Sequence, residues 1–473
     1  MTVLKSNTFV RENQHLVNTE FRNEFHAMAP IGWMNDPNGF IYFRGQYHLF
    51  FQYYPYDSVW GPMHWGHSVS DDGVKWTELP TALEPDQPYD KDGCFSGTAY
   101  VEDDVLYLMY TGHVVEGDVV RQVQCLAKST DGINFEKFEQ NPVIHDDHIK
   151  DVCLIADFRD PKLLKRDGTY YSIVAAKTAD NRGQLLIFES NDMIKWSEAK
   201  VLLEGDATQG IMWECPDIFE LDGKDVIIMS PIQMKAQGYK YTNISSTVAM
   251  IGKLNWDTLK FDLEPYHEMD SGTDFYAPQS VINDKGERYI VAWMQMWDRE
   301  IISHTQGHKW AGSMTLPREV RVINNKLVQT PIKGIYDHLN YEKVAVKEVE
   351  LSEIANNPQY IALRSLNTNF ELRLVSDSNE YISLTRVGNL LNLSREHGGH
   401  KIVGNEGPDY TSRTLELSTN ELDLEIIIDT SSIEVFINKE DTMTMTFYKK
   451  LQERKVLVQG LDVETEIKLG YIK

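Results

Sequence analysis

Three short segments, "SDDGVKW" (70–76), "STDGINF" (129–135) and "SNDMIKW" (190–196), share a serine, an aspartate and a closing aromatic residue. A fourth segment, "LNW", ends at Trp256 and continues the series. The closing aromatic residues are 76, 135, 196 and 256, so the successive steps are 59, 61 and 60 residues. A repeat of this length has the size of a four-stranded propeller blade with long loops. Five such units occupy about 300 residues and end near "GSMTLPREV" (312–320).

Short runs rich in Val, Ile, Tyr, Phe and Trp, separated by Gly, Asp and Asn, fill most of the chain. This pattern is typical of an all-β protein, and helical periodicity is confined to "RENQHLVNTEF" (11–21). Beyond residue 335 the repeat is lost, and segments such as "FELRLVSD" (370–377) alternate apolar and polar residues. The sequence therefore predicts a five-bladed β-propeller over 1–335 and an antiparallel β-sandwich over 336–473. We expect the sandwich to pack against the propeller or to pair subunits in a homo-oligomer.

The chain is strongly acidic, with 46 Lys and Arg against 71 Asp and Glu and a formal net charge of −25. Such a charge repels phosphate backbones and anionic membranes, so we expect neither nucleic acid nor membrane as a partner. The start lacks the apolar stretch of a signal peptide, and no run approaches the roughly 18 apolar residues of a membrane span, which predicts a cytoplasmic protein. The cysteines form no CxxC pair, so we expect them to be reduced and mostly buried: Cys94, Cys125, Cys153 and Cys215.

Several acidic and polar residues lie at similar distances along the chain from the closing aromatic residues, and so share their register. Equivalent strands of all blades meet around the axis of a propeller, so residues in one register should converge on one pocket. The residues are Asp36, 40 before Trp76; Ser96, 39 before Phe135; Asp160, 36 before Trp196; Glu214, 42 before Trp256; and Asp274, 60 after Glu214. The pattern predicts that these side chains line a common site.

Convergent carboxylates without a His or Cys cluster favour either a hard-metal site or hydrolysis of a glycoside by paired carboxyl groups. Calcium sites use closely spaced ligands in Asp-rich loops, whereas each acid here stands alone among aromatic residues. Sugars stack on aromatic faces, so we expect a pocket for a small sugar substrate, with no metal and no cofactor. The aromatic candidates are Trp33, Trp60, Phe95, Trp213, Tyr276 and Trp293.

Glycosidases need one protonated carboxyl group, which gives its proton to the leaving oxygen, and one ionised carboxylate. Glu214 lies in "MWECPDIF" (212–219), whose apolar residues would raise its pKa as a general acid requires. Asp36 lies in "WMNDPNG" (33–39), which is typical of a turn whose backbone N–H groups keep a carboxylate ionised. The flanking residues therefore favour Glu214 as the acid and Asp36 as its ionised partner.

The acidic segments resemble, in order, the motifs of glycoside hydrolase family 32, which contains invertases, sucrose-6-phosphate hydrolases and fructanases. The segments that carry this resemblance are "WMNDPNG", "FSG" (95–97), "FRDP" (158–161) and "WECPD" (213–217). Later blocks of the same family resemble "FYAPQ" (275–279), "AWMQMWD" (292–298) and "WAGSMTLPRE" (310–319), and its C-terminal sandwich resembles "DTSSIEVFIN" (429–438). The resemblance implies a five-bladed propeller plus a β-sandwich, and hydrolysis of β-fructofuranosides with retention of configuration at the fructosyl carbon.

Carried over position by position, the resemblance implies that Asp36 is the nucleophile and Glu214 the general acid/base. Asp160 matches the aspartate that holds fructose hydroxyls and stabilises the transition state, with Arg159 beside it. The positions that match the fructose subsite are Asn35, Gln52, Trp60, Phe95 and Ser96. The aromatic candidates Trp33, Tyr276 and Trp293 complete the predicted substrate contacts.

The leaving group is the part of the substrate that the motifs leave open. Selectivity for a phosphorylated sugar should need Arg or Lys around the pocket, and the sequence offers no basic cluster beyond His64 and Lys309. We therefore predict unphosphorylated sucrose as the substrate of an invertase-type β-fructofuranosidase. The alternatives are a sucrose-6-phosphate hydrolase, a fructan hydrolase or a fructosyltransferase of the same family, an inverting arabinan hydrolase on the same fold, and a glycan-binding propeller without activity.

Overall fold

The computed structural model describes residues 4–347, 350–377, 380–404, 410–448, 454–463 and 465–473. Four sheets of four strands and one sheet of five strands form a β-propeller, and two sheets of six strands form a β-sandwich. The predicted all-β architecture of a five-bladed propeller and a sandwich is thus confirmed. Among the described residues, no helix is long and apolar enough to cross a membrane, and no cluster of three or more His, Cys, Asp or Glu side chains could hold a metal ion.

The strands of each blade follow one another antiparallel, and the first strands of the five blades pack against each other around the propeller axis. Blades one and two contain β1 (Gly32–Phe43), β2 (Gln46–Tyr54), β3 (His64–Ser70), β4 (Thr77–Leu83), β5 (Gly93–Glu102), β6 (Val105–Glu116), β7 (Val119–Ser129) and β8 (Glu136–Lys137). Blades three and four contain β9 (Phe158–Arg166), β10 (Thr169–Lys177), β11 (Gly183–Ser190), β12 (Lys200–Glu204), β13 (Met212–Leu221), β14 (Lys224–Ile232), β15 (Val248–Asn255) and β16 (Lys260–Glu268). Blade five contains β17 (Tyr276–Ile282), β18 (Arg288–Trp293), then, after β19 (Trp310–Ala311), which joins blade one, β20 (Arg318–Ile323) and β21 (Lys326–Pro331).

The repeated Ser-x-Asp segments form the turns between the third and fourth strands of blades one to three. Asp72 Oδ1 accepts hydrogen bonds from two backbone N–H groups of its turn, at 2.8 and 2.9 Å, and Ser70 Oγ accepts a third at 2.8 Å. Asp131 and Asp192 repeat the pair of contacts in the next two blades. Aspartate and serine favour such turns because their short side chains bond their own backbone. The sixty-residue period is therefore the period of one blade.

Blade one closes the ring by taking a strand from the end of the propeller sequence. β19 pairs in parallel with the start of β1, where Trp310 faces Gly32 and Ala311 faces Trp33. Gly32 has a φ of 84°, and a Cβ atom there would lie 2.2 Å from the carbonyl oxygen of Tyr54. Glycine is therefore required at the position where the ring closes.

The chain before the first blade differs from the sequence prediction. Its α-helix α1 spans Lys5–Asn13 and continues as a 3₁₀ turn at Gln14–Leu16, so the helix predicted over 11–21 overlaps it only in part. Beyond that point tertiary contacts replace helical ones, since the Asn18 carbonyl accepts a hydrogen bond from Trp310 Nε1 at 2.9 Å. The other short helices are α2 (Ile302–Thr305), α3 (Gly334–Asp337) and 3₁₀ turns at Asp146–His148 and Ile155–Asp157.

The sandwich buries a second hydrophobic core between its two sheets. The predicted domain boundary after residue 335 falls in α3, between the last propeller strand and the first sandwich strand. One sheet contains β22 (Leu339–Ala345), β24 (Tyr360–Ser365), β29 (Leu422–Ile428), β30 (Ser432–Ile437), β31 (Asp441–Thr446) and β33 (Glu466–Ile472). The other contains β23 (Ser352–Asn356), β25 (Asn369–Asp377), β26 (Glu380–Val387), β27 (Leu390–His397), β28 (Ser412–Glu416) and β32 (Lys455–Gln459).

Buried ion pairs join the propeller to the sandwich. Arg318 of blade five donates to Glu434 of the sandwich at 2.6 Å and to Asp270 at 3.0 Å, and all three side chains are at most 1% exposed. Two threonines, Thr442 and Thr444, donate to the same Asp270 carboxylate at 2.9 and 2.6 Å. The domains are therefore held in one fixed arrangement by directional contacts.

Asp274 belongs to this interface and not to the pocket in which its register would place it. Its carboxylate accepts from Arg299 at 2.5 Å and from Arg395 of the sandwich at 2.6 Å. These two guanidinium groups outweigh burial and hold the pKa of Asp274 below its ordinary value. The expectation that Asp274 lines the common site is wrong, because the residue precedes β17 and so lies off the inner strand.

His26 lies in the same interface between two carboxylates. Its Nδ1 is 2.7 Å from Asp429 Oδ2 and its Nε2 is 2.8 Å from Glu434 Oε1, with every side chain at most 2% exposed. Burial opposes a charge on the imidazole, but the two carboxylates outweigh it and raise the pKa of His26 to about 9. The ring is therefore a buried imidazolium at neutral pH.

We predict that His26→Ala destabilises the protein most at low and neutral pH. The folded pKa of about 9 lies above the ordinary value of 6.5, so the stabilisation is complete below pH 6.5 and is lost as the pH rises through 9. Removing one partner of a buried ion pair costs about 3–5 kcal/mol. Thermal unfolding at pH 6 and at pH 9.5 should show a large difference from wild type that shrinks at the higher pH. His15→Ala, at an exposed position, is the control, and a difference that does not change with pH would contradict the prediction.

Candidate active site

Three carboxylates from three different blades meet in one pocket at one end of the propeller axis. Asp36 lies on β1, Asp160 on β9 and Glu214 on β13, each on the innermost strand of its blade. The side chains that line this pocket are Asn35, Asp36, Gln52, Trp60, Phe95, Ser96, Arg159, Asp160, Glu214 and Trp297. The shared register therefore brings together the acids of blades one, three and four.

A β-bulge in each innermost strand places these side chains. The strand pairing shifts between Met34 and Pro37 in β1, and at the matching places in β5, β9, β13 and β17. Three residues at these bulges have positive φ angles although they are not glycine: Asp160 at 66°, Cys215 at 49° and Ala277 at 51°. A bulge leaves one residue unpaired and turns its side chain away from the sheet pattern. The proline that follows each of these residues suits the bulge because it has no N–H group to pair.

Glu214 is held by polar partners. The Tyr276 hydroxyl donates to Glu214 Oε2 at 2.5 Å, and Arg159 donates to Oε1 at 2.7 Å from Nη2 and 3.1 Å from Nε. The expectation that the apolar residues around it in the sequence surround its carboxyl group is wrong. Trp213 is fully buried outside the pocket, with Nε1 donating to the carbonyl oxygen of Gln209 at 2.8 Å, because alternate residues of a strand face opposite sides.

Asp36 lies in a strand and not in the predicted turn. Its Oδ2 accepts from Ser96 Oγ at 2.9 Å and from the Cys215 thiol at 3.4 Å. Its Oδ1 is buried and has no hydrogen-bond partner within the described part of the chain. Burial and the charge of Glu214 raise the pKa of Asp36, so the sequence argument that backbone N–H groups keep this carboxylate ionised is also wrong.

Asp160 is fixed by one backbone group and one side chain of the neighbouring blades. Its Oδ2 accepts from the Cys215 backbone N–H at 2.9 Å, and its own N–H donates to Thr111 Oγ1 at 3.0 Å. Burial raises the pKa of Asp160, and although Arg159 opposes this, the charges of Glu214 and Asp36 add to it, giving a value of about 7. The charge of Glu214 thus disfavours ionisation of both aspartates.

Aromatic rings form the wall of the pocket in two layers. Trp60, at 47% exposure, and Phe95 line the pocket with ring centroids 6.0 Å apart. Trp297 also lines the pocket, and Trp33 and Trp293, which do not line it, pack against Trp297 at centroid distances of 6.1 and 4.9 Å. Trp33 and Trp293 therefore support the wall in this structure, whereas sequence reasoning placed them in contact with substrate.

The polar side chains of the predicted fructose subsite lie on the same surface. Asn35 Oδ1 accepts from Trp33 Nε1 at 2.7 Å, which orients its amide nitrogen, and Gln52 Nε2 donates to the carbonyl oxygen of Cys94 at 2.9 Å. Both amides line the pocket beside Ser96. They present donors and acceptors of the kind that fix sugar hydroxyls.

Sequence reasoning missed two residues that the structure places at this site. Trp297 lines the pocket, and its position four residues after Trp293 in "AWMQMWD" was the available signal. Cys215 contacts two acids, with its thiol 3.4 Å from Asp36 and 3.5 Å from Asp160. The four cysteines are free and, apart from the half-buried Cys153, buried, as predicted.

The two basic residues considered for phosphate recognition do not line the pocket. His64 is buried and its Nδ1 lies 2.9 Å from the carbonyl oxygen of Pro62. Burial lowers the pKa of His64 to about 4, so its ring is neutral at physiological pH. Lys309 is exposed. Of the described side chains that line the pocket, Arg159 is the one cation.

Comparisons with known proteins agree with this geometry. Residues 26–331 match the glycosyl hydrolases family 32 N-terminal domain, and residues 350–464 match the glycosyl hydrolases family 32 C-terminal domain. The chain is 37% identical to a sucrose-6-phosphate hydrolase of Escherichia coli, over 92% of this chain and 91% of the relative. It is also 37% identical to a raffinose invertase of Escherichia coli, over 91% of this chain and 90% of that protein.

A solved structure extends the likeness to three dimensions. The sucrose-6-phosphate hydrolase of Lactobacillus gasseri superposes with a TM-score of 0.88 at 27% identity, covering 98% of this chain and 96% of that one. The matches to both family domains span the propeller and the sandwich, so they concern the whole architecture and the strands that carry the carboxylates. The chain belongs to glycoside hydrolase family 32.

Proposed function

We propose that the protein is a retaining β-fructofuranosidase that binds the fructosyl unit of its substrate where Asp36, Asp160 and Glu214 meet. The observation that carries the proposal is this triad of carboxyl groups with one guanidinium in a single aromatic-walled pocket. In a double displacement, one carboxylate attacks the fructosyl carbon while a carboxylic acid protonates the departing oxygen. Water then releases fructose from the covalent intermediate, with the second group acting as base.

Asp36 suits the role of nucleophile because one of its oxygens is held and the other is free. Ser96 and Cys215 fix Oδ2, while Oδ1 is buried without a partner among the described residues. Desolvation makes such an oxygen more reactive toward an electrophilic carbon. Because the charge of Glu214 raises the pKa of Asp36, protonation of Glu214 favours ionisation of Asp36. The electrostatic coupling thus favours the state with one acid and one nucleophile.

Glu214 suits the role of general acid and base. Tyr276 and Arg159 fix its carboxyl group at the edge of the pocket with three hydrogen bonds. Arg159 compensates the negative charge that returns to Glu214 when its proton leaves. Asp160, whose carboxylate is anchored by the Cys215 N–H, is left to hold fructose hydroxyls and to stabilise the positive charge that develops on the fructosyl ring.

For the leaving group we propose glucose 6-phosphate, so that the substrate is sucrose 6-phosphate and not the unphosphorylated sucrose expected from the sequence. Support comes from the relatives, since those at 36–37% identity include sucrose-6-phosphate hydrolases that cover about nine tenths of the chain. The scarcity of basic residues near the motifs is a poor guide to phosphate selectivity, because phosphate can also be bound by backbone N–H groups and hydroxyls.

Sucrose itself remains the second candidate on one specific observation. The single cation among the described side chains that line the pocket, Arg159, is already paired with Glu214 at 2.7 Å. A fructosyltransferase uses the same catalytic residues, because a sugar can replace water in the second step. An inverting arabinan hydrolase would need room for water between acid and base, and a pure glycan-binding role would not require three carboxyl groups to be kept together.

We predict that cleavage releases β-fructofuranose first. Two successive inversions at the fructosyl carbon restore the starting configuration, whereas direct attack by water would give the α anomer. NMR spectra recorded within the first minutes of reaction, before mutarotation, distinguish the two products. Initial α-fructofuranose would refute the double displacement, and running the reaction at high sugar concentration would reveal any transfer product.

We predict that kcat/KM for sucrose 6-phosphate exceeds that for sucrose at least tenfold, which corresponds to about 1.4 kcal/mol of additional transition-state binding. The two sugars should be compared at one pH and one ionic strength, with inulin as a third substrate. Equal or better turnover of sucrose would overturn the choice of substrate and leave the reaction class intact.

We predict that Glu214→Ala lowers the activity on sucrose-type substrates about 10²–10⁴-fold, because their departing oxygen needs a proton. A fructoside with a nitrophenolate leaving group needs little protonation, so formation of the fructosyl enzyme should be largely spared. Azide needs no general base and should then restore turnover as β-fructosyl azide.

Asp36→Ala is the matched variant, since it removes the nucleophile itself and no leaving group can rescue the covalent route. Azide could then attack only from the vacated face and give the α product. Thermal melts should confirm that both variants fold. If the two variants respond alike to leaving group and azide, the proposed roles of Asp36 and Glu214 are wrong.

A further inference from the structure

The same five innermost strands line a second cavity, of about 340 Å³, toward the other end of the propeller axis. We call it the rear cavity. In each strand its residues come after the active-site residue, and a strand advances about 3.3 Å per residue. The stretches of these strands that line it are 40–41 of β1, 98–100 of β5, 162–166 of β9, 218–220 of β13 and 279–282 of β17.

Buried hydrogen bonds across the axis separate the rear cavity from the carboxylates. Gln279, which is 3% exposed, donates from Nε2 to the carbonyl oxygen of Gly97 at 2.7 Å. Thr98 Oγ1 donates to the carbonyl oxygen of Pro161 at 2.9 Å, and this link joins blades two and three. The rear cavity is therefore a site of its own and not an extension of the fructose pocket.

The wall of the rear cavity is basic although the chain as a whole is acidic. It contains the cations Lys162, Lys165, Arg166 and Arg288 and the acids Glu220 and Asp225. Two of the cations have close partners, since Lys162 pairs with Asp217 at 2.8 Å and Lys165 pairs with Glu102. Asp225 is 3.2 Å from Lys253, which lies outside the wall. The charges left to count are the two arginines and the exposed Glu220, so the cavity favours an anion.

Arg288 is a cation whose hydrogen-bonding capacity is largely unused. Within the described ranges of the chain, no carboxylate lies within 4 Å of it, and its Nε is buried without a partner. Its guanidinium lies 4.3 Å from the ring centroid of Phe219 and donates to Ser280 Oγ at 2.9 Å. Burial lowers the pKa of Arg288, but a guanidinium stays charged at physiological pH. Arg288 is half-buried, and the anion that acts on it, Asp217, is already paired with Lys162 at 2.8 Å, so an anionic ligand would add charge compensation that the protein does not fully supply.

Arg166 gives the same cavity a second guanidinium beside an aromatic ring. It lies 4.7 Å from the ring centroid of Trp256, and both side chains line the cavity. The nearest carboxylate, that of Asp167, is 3.5 Å away and 91% exposed, so the pair is weak. An anion held by two arginines can thus carry a sugar ring that lies beside the indole of Trp256, one face of which Arg166 covers.

We propose that the rear cavity binds a hexose phosphate, with the phosphate at Arg288 and Arg166 and the sugar ring against Trp256. Arginine forks match the oxygen geometry of phosphate. The volume of about 340 Å³ lies in the range of small-ligand sites. The proposal is independent of which fructoside the active site cleaves.

Isothermal titration of the full chain with glucose 6-phosphate tests the proposal, with glucose and inorganic phosphate as separate probes. We expect glucose 6-phosphate to bind more tightly than either probe and to raise the melting temperature. Arg288→Gln should weaken this binding roughly ten- to hundredfold, as expected for the loss of a charge-assisted contact. Arg321→Gln removes an exposed arginine of blade five, paired with Asp222 at 2.8 Å, and should leave the binding unchanged.

Two further measurements separate loss of the phosphate contact from a folding defect and from binding in the fructose pocket. Arg166 is exposed, so Arg166→Gln tests the same phosphate contact with little risk to folding and should also weaken binding. Hydrolysis of a fructoside by each variant should match wild type, since neither arginine lies in the fructose pocket. Glucose 6-phosphate that binds the active site would act as a competitive inhibitor, and its affinity would survive both substitutions. Absent binding, or affinity unchanged in Arg288→Gln and Arg166→Gln, would overturn the proposal.

Discussion

The repulsion between three carboxyl groups in one buried pocket is the constraint around which this fold is organised. Asp36 and Asp160 would move away from Glu214 if their side chains were free, because burial and the charge of Glu214 disfavour their own charges. The pKa of Asp160 is raised to about 7 and that of Asp36 is raised as well. Arg159 compensates part of this charge through Glu214. The rigid ring of strands offsets the remaining free-energy cost of this repulsion, because it allows the acids no alternative arrangement.

That rigidity comes from the way each innermost strand is interrupted. Every one of the five contains a bulge at the level of the pocket, and positive φ angles at Asp160, Cys215 and Ala277 mark strained backbone at three of them. Residues in such conformations persist only where the surrounding structure fixes them, and they concentrate at functional sites. The backbone of one blade also holds the acid of the next, as the Cys215 N–H holds Asp160. A change in the backbone of one blade therefore alters the position of the acid in the neighbouring blade.

The sandwich contributes to the same rigidity from outside the ring. Arg318, Glu434 and Asp270 form a fully buried network between the domains, and His26 adds a second cation to Glu434. Such a network adds little net stability, because desolvation offsets the attraction between the charges. The network instead fixes the orientation of the sandwich, since only one placement of the sandwich satisfies all of its hydrogen bonds. Blade five, which carries both Arg318 and Tyr276, is thereby fixed relative to the pocket.

The sequence by itself determined the all-β class, the sixty-residue blade and most of the residues that line the pocket, although not Trp297. These follow from local chemistry, because a Ser-x-Asp turn, an alternating strand and a motif such as "WMNDPNG" are each encoded by neighbouring residues. The tertiary structure alone decided what surrounds each acid. Glu214 has Tyr276 and Arg159 as partners, and Asp274 belongs to the interdomain network, because burial and electrostatic contacts depend on residues that are distant in the chain. Neighbouring residues along a strand face opposite sides of the sheet, so the sequence around a residue does not show what surrounds its side chain.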